Sequence, residues 1–344
     1  MVSGSVPGAM MARFTLATLG MVALLALAMV LGSPFPVLAL LYITVFTFFM
    51  DKLTALAAPD RPEAEFPVGD ALSVTLGLLH FPLLYGGVWG VAEGAMSVLD
   101  KVCLFAALGL FLGQVSNSNA HELIHRSPRA MRRLGVAVYS SVLFGFHASA
   151  HTRVHHVHAA TPKDPNSAPM GEGYWRFAMR AWRGALVEGF RAERRLGRRG
   201  LSHPYAAYGL GAVLSLVIAG AVAGLPGVLV LLGLAAYAQA QLLLSDYVQH
   251  YGLRRKEVAP GKYEPVGPAH SWNAPQGFSS ALMLNAPRHS DHHAHPSRHY
   301  PGLELDRAAM PILPHSLPVM AVLALVPPLW RRVMDKRVRH WQTA

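Results

Sequence analysis

The sequence is short of cysteine and of charge. A single cysteine, Cys103, occurs in 344 residues, inside an apolar run. That excludes a disulfide framework, an iron–sulfur cluster and a fused four-cysteine metal domain. Only 14% of the residues are charged, against roughly 25% in ordinary soluble domains. Acidic residues are the scarcer sign, 19 against 30 Lys and Arg. What replaces charge is apolar material: 52% of the residues are hydrophobic and the mean hydropathy is +0.31. It comes in runs, which makes the membrane the natural setting.

Six runs approach the length needed to cross a bilayer core of about 30 Å as a helix. They fall at 14–31, 34–50, 71–92, 99–119, 206–222 and 226–248. Gly32-Ser33-Pro34 separates the first pair and Gly224-Leu225-Pro226 the last, both turn signals. The second run is a few residues short, which predicts a tilted or locally broken helix. Arg13 before an apolar run resembles a signal peptide, but a second apolar run follows at once, so a retained first span is expected. The stretches 134–149 and 311–330 are read as interfacial or re-entrant pieces, the second interrupted by Pro314, Pro318, Pro327 and Pro328.

Charge placement orients the spans. Of the 30 Lys and Arg, 14 lie in 120–205 and 12 in 249–344, and the loops near 32–33, 93–98 and 223–225 carry none. A nucleic-acid protein would spread its basic residues over a folded polar surface. Here they flank hydrophobic runs, and the positive-inside rule places both termini and the basic segments in the cytoplasm of a bacterial-type inner membrane. The expected fold is all-α: a single-domain six-transmembrane bundle with a cytoplasmic helical cap formed by 120–205 and 249–344.

Histidine is abundant, with 18 residues, and it is clustered. His121-Glu122-Leu123-Ile124-His125 directly follows the fourth run. His151-Thr152-Arg153-Val154-His155-His156 and His289-Ser290-Asp291-His292-His293 follow the same style, and His250 closes the sixth run. Spacings of three and four residues put imidazoles on one helix face. A lone HExxH would suggest a zinc peptidase, but three protein ligands and a water would leave the other clusters idle. Transmembrane bis-histidine haem would place histidines within facing spans. A metal transporter would place ionisable groups near mid-membrane, where only His80 is found.

Eight or nine imidazoles exceed one ion's coordination shell and imply two redox-active metals beside an apolar cavity. Glu122, Asp164, Asp246 and Asp291 are candidates to accept the second ring N–H, or to ligate directly. His147, His158, His270, His295 and His299 are read as supporting or surface groups. His80 is read as a satisfied core or channel histidine, and His203, His315 and His340 as surface groups.

At these residues the sequence resembles the integral-membrane alkane 1-monooxygenase family of the fatty-acid desaturase and hydroxylase superfamily. The resemblance rests on Asn119–Arg126, on 151–156 with its tail Ala160-Thr161-Pro162-Lys163-Asp164-Pro165, on Tyr247–Gly252 and on Arg288–His293. It implies that His121, His125, His151, His155, His156, His250, His289, His292 and His293 bind two iron ions. It also implies O₂ as co-substrate, hydroxylation of an alkyl terminal methyl, and electrons from a rubredoxin-type donor and its reductase. With no Cys pair in the chain that donor must be a separate protein, and the basic face suits an acidic one. The chain departs from the pattern at Ala150, where a glutamate is usual, and at Leu284-Asn285-Ala286-Pro287. Those departures leave another lipid or an aromatic methyl group as alternative substrates.

Overall fold

The computed structural model describes residues 6–54 and 67–343. Most of the segment between the second and third apolar runs, 51–70, therefore lies outside the described residues. The chain is almost entirely helical. The long helices are α1 (Val6–Leu31), α2 (Phe35–Leu41, Tyr42–Phe46 and Thr47–Thr54 in succession), α3 (Pro67–Ala92) and α4 (Val98–Phe111, Leu112–Ser116 and Asn117–Ile124). The middle pieces of α2 and α4 are π-helical turns. Then come α5 (Arg129–Ser141), α6 (His147–Ala150, His151–His155 and His156–His158), α7 (Tyr174–Arg195) and α8 (Pro204–His250). Short helices α9 (Gly277–Leu282), α10 (His289–Ala294) and α11 (Leu317–Ala324) precede α12 (Pro327–Thr343). Among the described residues the only strands are the antiparallel pair β1 (Glu257–Ala259) and β2 (Lys262–Tyr263).

Five of these helices are long and apolar enough to cross a membrane: Met11–Leu31, Phe35–Leu53, Gly69–Ala92, Val98–Ile124 and Pro204–His250. The second is longer than its apolar run, because the helix continues through Asp51 and Lys52; its local break is the π-turn at Tyr42–Phe46. The fourth extends past the run read at 99–119 and carries the first histidine pair to its last turn. Neither 134–149 nor 311–330 forms a helix of spanning length.

The fifth helix is not straight. Ala223 and Gly224 leave helical geometry, with Gly224 at a φ of +57° that suits glycine. Ser215 Oγ donates to the Ser141 carbonyl at 2.6 Å, and Gln239 Nε2 donates to the next carbonyl, Val142, at 2.8 Å. On a straight helix those two side chains would stand roughly 36 Å apart. The two arms therefore lie side by side, turning where Gly224-Leu225-Pro226 predicted a hairpin. They touch at small residues: a Cβ added to Gly227 would collide with the Ala219 carbonyl and approach Ala223.

α1 packs into the bundle through a stripe at spacings of three and four, with Phe14, Met21, Leu25 and Ala28 all at 0% exposure. Phe14 meets Tyr300 edge-on, ring centroids 4.9 Å apart, so this first helix reaches the C-terminal third of the chain. Mid-helix His80 is fully engaged: its ring nitrogens contact Ser116 Oγ at 2.9 Å and Ser141 Oγ at 2.7 Å, joining α3, α4 and α5. It is a satisfied core histidine.

Overpacking the arm contact tests the hairpin. Gly227→Leu is expected to cost about 1–3 kcal/mol, seen as a lower unfolding midpoint in detergent. A midpoint equal to wild type would mean that the arms are not packed there.

Candidate metal centre

The nine histidines singled out above all come together, at one end of the bundle. They fall into two groups, His121, His125, His151, His156 and His292 in one and His155, His250, His289 and His293 in the other. Within each group one ligand atom per residue lies within 4.8 Å of all the others. The groups adjoin, with the rings of His156 and His293 4.6 Å apart between centroids.

Helix geometry decides the division. His121 and His125, four apart on the last turns of α4, share the first group. On α6 the backbone is π-helical over His151–His155, and the His156 N–H bonds back five residues to the His151 carbonyl. A π-turn brings i and i+5 together. His151 therefore pairs with His156, Nε2 to Nε2 2.9 Å, and His155 turns to the second group. The i, i+4 pairing expected of His151 and His155 is thus replaced. On α10 it holds for His289 and His293, Nε2 to Nε2 3.1 Å, while His292 reaches His156 at 3.1 Å in the first group.

His250 ends α8 and meets His289 at 2.9 Å. The chain then turns sharply at Gly252, φ +77°, where a Cβ would strike Val338 of α12. Trp272 Nε1 donates to the Tyr251 carbonyl at 2.9 Å and fixes that turn from the other side.

These contacts fit a metal better than they fit one another. Successive Nε2 atoms in the first group, from His121 through His151 and His156 to His292, are 2.7, 2.9 and 3.1 Å apart. Neighbouring ligands held roughly 2.1 Å from a first-row metal at right angles sit about 3.0 Å apart. The Nε2 atoms of His125 and His155 are buried with no hydrogen-bond partner, a costly state unless something takes their lone pairs. Burial first, and neighbouring histidines second, hold His125, His151, His156, His292 and His293 well below the usual imidazole range. Burial likewise lowers His289 to about 3. They stay neutral, the form that ligates.

His155 is the exception. Burial pulls it down, but the Asp164 carboxylate pulls it up and prevails. His155 Nδ1 lies 2.9 Å from Asp164 Oδ2, which leaves Nε2 to face the group. Burial alone would raise Asp164. His155 and hydrogen bonds from Ser167 and the Asn166 N–H instead hold it below the usual carboxylate range.

The other carboxylates go elsewhere. Glu122 pairs with Arg126 at 3.4 Å and accepts the Tyr300 N–H. That is not the posture of a peptidase base aimed at a zinc-bound water. Asp246 accepts from Asn166 Nδ2 at 2.6 Å, and Asp291 bonds His295, Arg298 and the Glu304 N–H. Among the atypical residues, Ala150 packs against α7, where a Cβ on Gly189 would lie 3.1 Å from the Ala150 nitrogen. Asn285 adopts φ +55° and ties the loop before α10 to the Tyr300 carbonyl at 2.8 Å.

One histidine has another place than expected. His203, read as a surface group, is 6% exposed, stacks on Phe190 and accepts the Tyr205 N–H to cap α8. His147 is buried against Phe144 and lines the cavity beside the site. It takes the supporting place that its sequence position, one turn before His151, led us to expect.

That cavity holds 460 Å³ and is lined chiefly by apolar surface. His121, His151 and His289 form its inner end. It runs outward between α2, α4, α8 and α11, past Ile43, Leu110, Leu242 and Val322. Hydroxyl and amide groups along it are largely bonded within the protein: Asn117 Nδ2 to the Ala238 carbonyl, Gln241 Nε2 to Gly109, Gln249 Nε2 to Ala286.

Comparison with known proteins accords with this site. The fatty acid desaturase family model matches residues 101–324. An alkane 1-monooxygenase of Pseudomonas putida is 34% identical over 76% of this chain and 66% of its own length. The alkane 1-monooxygenase 1 of Pseudomonas aeruginosa is 34% identical over 83% of this chain and 78% of its own.

The chain belongs to the alkane 1-monooxygenase family. It is an enzyme of the oxidoreductase class. A xylene/toluene monooxygenase hydroxylase component of Pseudomonas putida is more distant, at 28% identity over 76% of this chain and 73% of that protein. The chain spans about two thirds of the length of the first of these relatives.

Asp164 offers a direct test of how a member of this family holds its metal. Asp164→Asn is expected to lower metal affinity about 10–100-fold by releasing the His155 ring, measured by chelator competition, with helix content unchanged. Wild-type retention would show that Asp164 does not orient the ligand.

Proposed function

We propose that this chain is a membrane-bound monooxygenase that hydroxylates the terminal methyl of medium- or long-chain alkanes with O₂. The observation that carries the reading is the junction of two buried imidazole groups with an apolar cavity of 460 Å³. His121, His125, His151, His156 and His292 would hold one iron, and His155, His250, His289 and His293 the other. Two irons there would supply O₂ activation and the oxidising power for C–H hydroxylation. The protein's part is positioning. The apolar lining binds an alkyl chain by burying it, at about 0.8 kcal/mol per methylene, and the imidazoles at its inner end define which carbon arrives first. Internal bonding of the Gln241 and Gln249 amide nitrogens removes polar groups that would otherwise hold water in the channel.

Electrons come, in this reading, from a separate rubredoxin-type protein and its reductase, since the chain's lone cysteine cannot build such a centre. The α8 hairpin supports six crossings rather than five. With the basic residues gathered in 120–205 and 249–344, it supports a single domain in a bacterial inner membrane, with termini and metal centre on the cytoplasmic side. The xylene/toluene relative favours a second reading, oxidation of an aromatic methyl group at the same site.

The test is metal analysis of the purified chain, coupled to product analysis with medium-chain alkanes, rubredoxin and its reductase. Two irons per chain and 1-alkanols are expected. One zinc per chain, or iron with no alkanol but with aromatic alcohol from xylene, would displace the alkane reading. His250→Ala should lower iron content and abolish turnover.

A further inference from the structure

A second cleft opens on the other side of the metal centre. It holds 1280 Å³ and lies between α3, α5, α6, the end of α7 and the first arm of α8. Its lining is divided. Arg126, Arg129, Arg132, Arg133, Arg153 and Arg198 line one part, whereas Phe81, Tyr85, Leu214 and Ile218 line another. His125 also reaches its wall.

The apolar part belongs to helices of spanning length. Phe81 and Tyr85 are roughly 18–24 Å along α3 from Gly69, and Leu214 and Ile218 roughly 15–21 Å along α8 from Pro204. That depth is out of reach of a soluble partner. The arginines lie at the histidine end of the bundle, on or beside α5 and α6. Glu193 is the one acid in the lining, and it is engaged already, accepting from Ser149 Oγ at 2.7 Å and from Arg198 at 2.5 Å. Among the described residues Arg132 donates only to the backbone carbonyls of Arg126 and Ser127. Arg129 and Arg133 have no ion-pair partner among the described residues.

We propose that this cleft is a binding site for one anionic phospholipid. The phosphate sits among Arg129, Arg132 and Arg133, whose guanidinium groups suit phosphate oxygens. An acyl chain lies along Phe81, Leu214 and Ile218. Charge and depth together select the occupant. A zwitterionic lipid gains little from the arginines, and a free anion leaves the apolar wall bare. The site rests on the membrane placement of these helices and is independent of the substrate.

The experiment uses the full chain in nanodiscs of phosphatidylcholine with or without phosphatidylglycerol. Lipid retained after transfer to detergent is counted by native mass spectrometry. Wild type is expected to keep one phosphatidylglycerol against excess phosphatidylcholine. The double variant Arg129→Gln with Arg133→Gln should lose that preference roughly thirtyfold. Ala207→Trp, which fills the cleft and spares the arginines, should lose retention as well, and unchanged metal content verifies folding in each. Equal retention of the two lipids, or undiminished retention in both variants, would overturn the site. So would displacement of the lipid by millimolar inorganic phosphate, which would make it a free-anion site. Loss of an acidic donor protein's binding in the arginine variant, with lipid retention intact, would reassign the arginines to that donor and also overturn it.

Discussion

Burying nine imidazoles in one place is the constraint to which the rest of the chain answers. Each ring presents a nitrogen that water can no longer satisfy, and one N–H serves one neighbouring lone pair, so the five nitrogens of the first group cannot all pair among themselves. Such a cluster persists only if the elements that carry it are held from outside. Four of them meet here: the end of α4, the π-turn of α6, the last residue of α8 and the short helix α10. None could hold its histidines in place alone.

The outside hold comes from close packing at small residues and from a few buried polar ties. Gly109 and Gly113 of α4 leave room for Tyr237 and Gln241 of α8. His80 binds the serines of two neighbouring helices. Gly189 lets α7 lie directly on Ala150, behind the most histidine-rich helix. That contact is with the backbone of Ala150, so it calls for glycine at 189. Asp51 at the end of α2 accepts the Ser279 N–H, so α9 is fastened to the early helices as well.

Much of this was legible in the sequence, and the reason differs from feature to feature. The spanning helices could be read because lipid demands uninterrupted apolar length. Both hairpins could be read because glycine and proline punctuate the chain at 32–34 and 224–226. Eight of the nine histidines stood out by number and clustering, and the lone His250 joined them through the family resemblance. Their division did not, since a rule of four presumes α-helical backbone and the π-turn over His151–His155 follows from packing rather than from composition. The ends of α2 and α4 ran beyond their apolar runs because a helix continues past the membrane edge wherever polar residues such as Asp51 or His121 find partners. The burial of His203 depends on Phe190 of another helix, a contact no local pattern announces. The arginines of α5 were visible as charge, but the concave wall they share with α3 and α8 required the fold.

The π-turn of α6 has a metrical consequence. His151 and His156 face one way from that turn and His155 faces another, so the distance between the two imidazole groups is set by the girth of α6, and again by that of α10, which sends His292 to one group and His289 and His293 to the other. Loops elsewhere can lengthen or drift without altering it. A small roll of α6 about its axis, however, would draw one group in as it let the other out. The gauge of the centre is thus built into two short helical stretches, and the helices packed around α6 act as its clamp.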